Sequence, residues 1–411
     1  MQAENIKTLS FGCRLNALEA EKIKKMLAGM VDGAIIVNTC AVTAEAERQS
    51  GQYVRRIARE NPNVPIFVTG CAATRNCELF TTNSNVIVIA NADKMNRDAY
   101  IRAISSSPHV APNAIIGDFI ADDHMSKQFI QIQNGCNHDC TYCVTRLLRG
   151  AAISFEYADI LADVRDAVKN GFYEIVLTGV DSASYAKTYD GQPFLLSDLC
   201  KKLLADVPEI RRLRLSSVDP ASPEIDKIID LIHTDTRMMP HLHLSMQSGS
   251  DKILTAMRRR HNAARVCDIV ARAHDITFGW DIICGFPGET DELFVQTVEL
   301  ARKLRPIKIH AFPFSPRPGT VAATLPMQIN HHISKQRVHT ISQIADNARI
   351  EYMQTQIGTT TSVLVENNNI ARTPDDIPVH IDGTTIAPRT ICNVKLTDIY
   401  KDMFVGVLVK K

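Results

Sequence analysis

The chain has 411 residues, 45% of them hydrophobic and 22% charged, and its net charge is +1. This is the composition of a soluble globular protein of roughly two to three domains, and no apolar run approaches the ~20 residues that span a bilayer. The charge neither argues for a nucleic-acid partner nor excludes a local basic face.

The opening Met1-Gln2-Ala3-Glu4-Asn5-Ile6-Lys7 lacks the apolar core of a signal peptide. A cytoplasmic chain is expected, and its 11 cysteines then point to metal before disulfides. The first segment alternates strands and helices. Thr8-Leu9-Ser10-Phe11 reads as a strand ending at Gly12-Cys13, and a helix is predicted over 16–30 from Leu18, Ile23, Met26 and Leu27. Ala34-Ile35-Ile36-Val37-Asn38 is a buried strand ending at Thr39-Cys40. A polar helix follows over 43–60, stopped by Asn61-Pro62. Pro65-Ile66-Phe67-Val68-Thr69 ends at Gly70-Cys71, and Val86-Ile87-Val88-Ile89 is a fourth strand. Three successive strands thus end in a cysteine. In a parallel α/β sheet the strand C-termini open onto one edge, where ligands bind. Cys13, Cys40 and Cys71 are therefore predicted to converge as a metal site. The alternative is a coincidence of buried cysteines, which are common small core residues.

Residues 93–126 carry Ser105-Ser106-Ser107-Pro108 and few periodic apolar positions, which predicts a linker. Phe129-Ile130-Gln131-Ile132-Gln133 is a strand leading into Asn134-Gly135-Cys136-Asn137-His138-Asp139-Cys140-Thr141-Tyr142-Cys143. Three thiolates this close select zinc or an iron–sulfur cluster. A structural zinc site wants four ligands, usually as two pairs; a zinc loop would have to recruit His138. Three thiolates on a four-iron cluster leave one iron open for a substrate or cofactor.

Beyond the triad the alternation resumes. Strands are predicted at 174–178, 212–217, 241–245, 280–283 and 308–314, with helices near 157–170, 196–205, 223–233, 251–258, 264–274 and 291–304. Six βα units suggest an open, partial barrel with its chemistry on the loops after the strands. His241 and His243 share a strand face and are read as a satisfied inward pair rather than a metal pair. Cys77, Cys200, Cys267, Cys284 and Cys392 have no cluster spacing and are read as ordinary thiols. A helix over 332–356 precedes short strands at 362–366, 377–381, 391–396 and 404–409, with Asp382-Gly383 as a turn. Strands this short suit a small closed barrel of the oligonucleotide-binding kind.

Together, Phe11-Gly12-Cys13-Arg14-Leu15-Asn16, Asn38-Thr39-Cys40-Ala41-Val42-Thr43, Val68-Thr69-Gly70-Cys71-Ala72, the cysteine triad, His241-Leu242-His243-Leu244-Ser245-Met246-Gln247-Ser248-Gly249-Ser250 and Gly285-Phe286-Pro287-Gly288-Glu289-Thr290 resemble the radical S-adenosylmethionine methylthiotransferase family. The resemblance covers nearly the whole chain. It implies an α/β fold with an N-terminal parallel α/β domain (1–110), a central partial (β/α)6 radical-SAM barrel (123–357) and a small C-terminal TRAM-like β-barrel (358–411). It implies two [4Fe-4S] clusters, one on Cys136, Cys140 and Cys143 that cleaves S-adenosylmethionine to a 5′-deoxyadenosyl radical, and an auxiliary one on Cys13, Cys40 and Cys71 that carries the sulfur. Cofactor contacts are implied at Tyr142, Gln247, Ser248, Gly249, Gly285 and Glu289. Partners are implied too: a tRNA anticodon stem-loop, and an electron donor such as flavodoxin or ferredoxin. Arg149 and Arg258-Arg259-Arg260 are candidate phosphate contacts.

Three branches of the family compete. One modifies threonylcarbamoyladenosine at position 37 of tRNA, one isopentenyladenosine in tRNA, and one an aspartate of a ribosomal protein. The Gly-Cys-Arg-Leu-Asn start and the Cys-Ala-Val-Thr run look like the first. Outside the family two classes compete: a different radical enzyme such as a plain methylase, against which the N-terminal cysteine trio argues, and a non-catalytic iron–sulfur protein that binds RNA or senses redox state. Two stretches depart from the family pattern. Val144-Thr145-Arg146-Leu147-Leu148-Arg149-Gly150-Ala151-Ala152 stands where Ile-Pro and a later arginine and serine are usual. Ala183-Ser184-Tyr185-Ala186 stands where Gly-Ser-Tyr-Gly is usual.

Overall fold

A computed structural model describes residues 5–12, 14–31, 33–81, 83–106, 126–367, 369–383 and 385–409. The chain divides into two compact units. One comprises Met1–Asp123, Asn134–Ala152 and Arg317–Ala323; the other comprises His124–Gln133, Ile153–Pro316 and Thr324–Lys411.

In the first unit the apolar runs become four parallel strands, Ile6–Ser10, Ala34–Thr39, Ile66–Gly70 and Val86–Val88, hydrogen-bonded in sequence order. The two central strands are buried along their whole length, as strands covered on both faces must be. Alternate residues divide between two cores. Ile35, Val37, Ile66 and Val68 pack into one, and Ile6, Ile36 and Phe67 into the other. Helices Arg14–Leu27 and Ala44–Glu60 connect the strands. The second begins where Thr43 caps it, its side chain accepting from the Ala46 N–H. The register pairs Ser10 with Asn38, Asn38 with Thr69 and Thr39 with Gly70, so the strands end on one edge.

The expected linker over 93–126 starts too early. Helix Arg97–Ser105 occupies its first part, capped by Asn96. A single buried aromatic holds it: Tyr100 packs edge-on against Phe67 and donates its hydroxyl to Lys94 O at 2.9 Å. Ala103 and Ile104 pack beside the same core, so the apolar stripe spans little more than one turn, too short for periodicity to mark a helix. The rest of that stretch, 107–125, lies outside the described residues.

The second unit holds six parallel strands, Lys127–Gln131, Glu174–Thr178, Arg212–Leu215, His241–Gln247, Thr277–Cys284 and Lys308–Pro313. They form two three-stranded sheets joined by bridges from Leu213 to Met238 and from Val218 to Leu244. Each half is a parallel ladder, and the strand order follows the chain, as successive right-handed βα units require. Helices Tyr157–Lys169, Leu196–Asp206, Glu224–Thr234, Ala263–Arg272 and Asp291–Leu304 contribute to one large apolar core around Trp280, Leu213 and Leu244. A hairpin of Ala186–Tyr189 with Gln192–Leu195 follows, turned by Asp190-Gly191, both at positive φ; this Asp-Gly pair is the hairpin signal in the sequence.

After helix His331–Gln356, five strands close into a barrel in the order Thr360–Asn367, Ile370–Arg372, Pro378–Asp382, Met403–Leu408, Ile391–Tyr400. Val363, Val365, Val379, Ile381, Val394, Leu396 and Phe404 fill it. This barrel is held to the N-terminal ends of the six-stranded sheet. Lys127, Glu174 and Arg212 are the first residues of adjacent strands and lie side by side in register. Glu174 is fully buried and takes Arg212 at 3.2 Å, Arg214 at 3.0 Å and Lys127 at 3.5 Å. The same cations reach into the small barrel: Arg212 donates to Ser362 O at 2.8 Å, Arg214 to Pro374 O at 2.8 Å, and Lys127 pairs with Asp376. Deleting 358–411 would thus strand three buried cations beside one carboxylate, so point substitutions are the better probe of the barrel.

Burial alone would raise the Glu174 carboxyl, but Arg214, Lys127 and Arg212 overrule it and hold it near about 2. Lys127 and Arg214 likewise overrule burial to hold Asp376 far below the usual carboxylate range. A depressed folded value gives stability that is complete above the unfolded value and is lost as pH falls through the folded one. Thermal unfolding followed by circular dichroism should therefore show a melting temperature that falls between pH 4.5 and about 2. Breaking this buried network with Glu174→Gln should cost about 3–5 kcal/mol near neutral pH and flatten that acid limb. An equal acid slope in both proteins would contradict this account.

Candidate active site: two sets of cysteines

The triad loop belongs to the first unit, although the strand before it belongs to the second. Cys136, Cys140 and Cys143 are all part-exposed. The loop is fixed by its own backbone: Cys136 N–H donates to Gly150 O at 3.1 Å and Cys143 N–H to Cys140 O at 3.1 Å. The sulfurs also meet backbone donors, His138 N–H lying 3.4 Å from Cys136 Sγ. A cavity of about 500 Å³ opens beside Cys140 and Cys143, walled by His138, Arg146, Leu147 and the segment Gly319, Thr320 and Val321. Tyr142 is half-buried next to Thr141, whose carbonyl accepts from Ala322 N–H at 2.8 Å.

Cys40 and Cys71 are buried, and each directly follows one of the paired residues Thr39 and Gly70 on the sheet edge. Thr39 Oγ1 ties their surroundings together, donating to Thr69 O at 2.7 Å and accepting from Ala73 N–H at 3.0 Å. Val42 N–H lies 3.5 Å from Cys40 Sγ, and Asn91 Nδ2 lies 3.6 Å from Cys71 Sγ. Gly12 comes so near that a Cβ built on it would stand 2.5 Å from both Cβ and Sγ of Cys40, which only glycine permits. Cys13, the predicted third member, lies outside the described residues.

Arg149 is not a phosphate contact in this structure. It is buried and turned inward, with Glu19 at 2.8 Å, Asn16 Oδ1 at 2.7 Å and Asn134 Oδ1 at 3.0 Å. Asn16 in turn donates to Phe11 O at 2.8 Å and Thr39 O at 3.2 Å. One guanidinium thus joins the Asn134 side chain just before the triad, through the Asn16 amide, to the backbone just before Gly12 and Cys40. Burial by itself would raise the Glu19 carboxyl; Arg149 and Lys94 outweigh it and bring it below its ordinary value. The run Arg258-Arg259-Arg260 is also not a free basic face. Arg259 and Arg260 converge on the buried Asp219 at 3.1 Å and 2.9 Å, and Arg259 donates to Ser245 O.

The predicted cofactor loops lie in the second unit. Gln247 takes φ 71° at its strand end, a left-handed conformation that costs energy for a residue with a Cβ. Ser248 is buried, and Gly249 N–H donates to Thr297 Oγ1 at 2.9 Å. Gly285 has φ +79°, and a Cβ there would lie 1.9 Å from Ser334 Oγ. Glu289 is fully buried and accepts from Gly285 N–H at 2.6 Å and from Arg337 at 2.7 Å. It therefore shapes the Gly285 turn from inside, where the sequence reading had it touch cofactor. Burial raises its carboxyl, against the pull of the Gly285 N–H and Arg337. His241 Nδ1 meets Thr277 Oγ1 at 2.8 Å and His243 meets Asp281 at 3.0 Å, the satisfied pair that was expected. Desolvation drives the His241 imidazole down to about 3.

Residues 130–301 match the radical S-adenosylmethionine superfamily, and residues 5–90 match uncharacterized protein family UPF0004. A threonylcarbamoyladenosine tRNA methylthiotransferase of Rickettsia prowazekii (strain Madrid E) is 40% identical over 388 residues, covering 91% of this chain and 90% of that one. One from Thermotoga maritima is 32% identical, covering 88% and 87%. The chain belongs to the radical S-adenosylmethionine methylthiotransferase family. A tRNA-2-methylthio-N(6)-dimethylallyladenosine synthase of Yersinia enterocolitica is also similar, at 29% identity over 99% of this chain and 92% of that one. Among solved structures, a radical S-adenosylmethionine methyltransferase, TsrM, from Kitasatospora setae aligns with a TM-score of 0.53 at 14% identity, covering 73% of this chain and 68% of that one. That likeness shows the fold.

A family of this kind implies a [4Fe-4S] cluster and S-adenosylmethionine. The triad fits: its three cysteines are part-exposed, a backbone N–H approaches one sulfur, and a cavity adjoins the other two. In this methylthiotransferase part of the departure at 144–152 forms the helix Thr145–Arg149, which puts Arg146 and Leu147 on the cavity wall. The family's usual proline would fall at Thr145, the first helical position, which tolerates proline, so the helix itself is compatible with the family pattern. Glu19, Lys94 and the wall segment 319–321 were missed. The Pro318-Gly319 pair after the last barrel strand was the available signal for the wall. Glu19 and Lys94 read as ordinary solvated charges.

Arg149→Met should destabilise the protein by about 3–5 kcal/mol, the usual cost of breaking a buried ion pair. It should leave the salt dependence of tRNA binding unchanged. A stable variant whose salt slope drops by about one charge would restore the phosphate-contact role.

Proposed function

We propose that this chain adds a methylthio group to C2 of N6-threonylcarbamoyladenosine at position 37 of tRNA, in the cytoplasm, using a flavodoxin- or ferredoxin-like electron donor. The observation that supports the reading is the presence of two cysteine sites: a part-exposed triad beside a cavity, and buried strand-end cysteines on a parallel sheet edge. The names of the relatives at 40% and 32% identity favour the threonylcarbamoyl branch. Cys136, Cys140 and Cys143 would hold one [4Fe-4S] cluster; Cys13, Cys40 and Cys71 would hold a second. Bound beside Cys136, Cys140 and Cys143, the first cluster and S-adenosylmethionine would supply radical chemistry for removing an unactivated aromatic hydrogen, which no side-chain base could take.

The chain's own residues prepare the site. Backbone and amide donors at Val42, Asn91 and His138 stabilise charge on the sulfurs. The Gly285 turn, braced by Glu289 and Arg337, and the Gln247–Gly249 turn would present backbone to the cofactor. Tyr142 would do the same beside the triad. Functionally the chain would divide into 1–110 for the auxiliary site, 123–357 for radical chemistry and 358–411 for holding RNA, chiefly by phosphate. The target base lies in a single-stranded loop, where it can be splayed out and its edge reached.

Anaerobically reconstituted protein should bind about eight irons, and a variant with Cys136, Cys140 and Cys143 all replaced by alanine about four. Cys140→Ala should abolish 5′-deoxyadenosine formation, while Cys40→Ala should keep some uncoupled cleavage and lose all methylthio product. Zinc in place of iron, or full iron content in the triple variant, would refute the two-cluster arrangement. For substrate, the enzyme should methylthiolate tRNA bearing threonylcarbamoyladenosine in preference to tRNA bearing isopentenyladenosine or the ribosomal protein, measured by nucleoside and peptide mass spectrometry. Product from only the last two would move the chain to another branch.

A further inference from the structure

The parallel strands of the second unit turn alternate side chains to opposite faces. One face packs into the helix-covered core, where Leu242, Leu244, Trp280 and Ile282 are buried and Ile309 and Ala311 pack beside them. The residues between them, His243, Asp281 and His310, belong to the other face. A barrel interior that serves stability alone is filled with branched apolar side chains. Here that face carries two imidazoles and a carboxylate, and it is not filled: His310 is exposed, and Phe312, two residues on, is 44% exposed.

Register and a missing Cβ place these groups. His310 lies directly beside Asp281 on the neighbouring strand. His243 Nε2 stands 3.0 Å from Asp281 Oδ1, and the His243 and His310 ring centroids are 5.2 Å apart. Gly279 is the register partner of His243, and a Cβ on it would stand 2.5 Å from His243 Nδ1. Any other residue at 279 would push the ring aside. The ring therefore crosses to Asp281 and fixes that carboxylate as an acceptor. His310 stands next to it with an imidazole N–H to donate. Toward the C-terminal end of the same strand, Phe312 offers a flat apolar surface of the kind on which a base stacks.

The two candidate substituents on adenine N6 ask for opposite surroundings. Threonylcarbamoyl carries a carboxylate, a hydroxyl and a urea; isopentenyl is a hydrocarbon. A hydrocarbon laid on Asp281 and His310 would take their water away and return no hydrogen bond, which costs free energy. A site built to hydrogen-bond its substrate rejects an analogue lacking those groups. We infer that His310 determines the specificity for the target base: its N–H donates to the carboxylate of the N6 substituent, Asp281, held by His243, accepts from the hydroxyl, and Phe312 stacks on the adenine. The assignment rests on the substrate reading above.

The test measures kcat/KM of the reconstituted full-length enzyme, by nucleoside mass spectrometry, on three tRNAs. One bears threonylcarbamoyladenosine, one the same nucleoside with its carboxylate converted to the amide, and one isopentenyladenosine. Wild type should prefer the first to the second by roughly 10- to 100-fold, the worth of a hydrogen bond to a charged group. In His310→Phe that preference should vanish, and the isopentenyl substrate should gain relative to both others. His310→Gln keeps a side-chain N–H and should retain most of the preference. A structural loosening would lower all three substrates together, so unchanged ratios in His310→Phe overturn the inference. So does a wild type indifferent to the amide, or loss of all product in both variants, which would put His310 in the general machinery. A wild type that modifies only the isopentenyl tRNA overturns the substrate reading instead.

Discussion

Every strand that matters here runs parallel, and a parallel strand has a chemical end and a structural end. Backbone groups are paired along its length, so loops can vary only beyond its termini. In the first unit the C-terminal edge gathers Thr39, Gly70 and the cysteines that follow them. In the second, the C-terminal ends carry the Gln247 and Gly285 turns, and the N-terminal ends carry Lys127, Glu174 and Arg212. The chemistry and the docking of the small barrel are thus kept apart by the length of a strand.

Buried charge is the recurrent device. Glu174 gathers three cations at the foot of the six-stranded sheet, Asp219 gathers two arginines, and Glu19 and Glu47 gather two cations each. Such networks add little net stability over apolar packing, yet they are costly to break. Their value is geometric, since a guanidinium with several fixed acceptors has one orientation. Arg149 illustrates it: Asn134, Asn16 and Glu19 together determine where the triad loop begins relative to the sheet edge.

The departures from the family pattern now have a physical content. The 144–152 stretch keeps Arg149 and Gly150, the residues that hold the loop, and puts Arg146 and Leu147 on the cavity side of a short helix. The 183–186 stretch sits at a 3-10 turn, Ser182–Ser184, fixed from within by Ser182 donating to Ser217 O at 2.9 Å.

Much of this was legible in one dimension. Apolar runs of five residues broken by Gly-Cys or Thr-Cys pairs gave the strands and their cysteines, because periodicity and burial are local properties of a parallel sheet. The triad spacing gave the cluster chemistry, because ligand distance there is set by a few bonds of chain. What sequence could not give is every contact whose partners lie far apart along it. Arg149 meets Glu19 across 130 positions and Arg317 meets Glu47 across 270. From composition alone each is a surface charge, and only folding, by removing water from both partners, makes it part of the site.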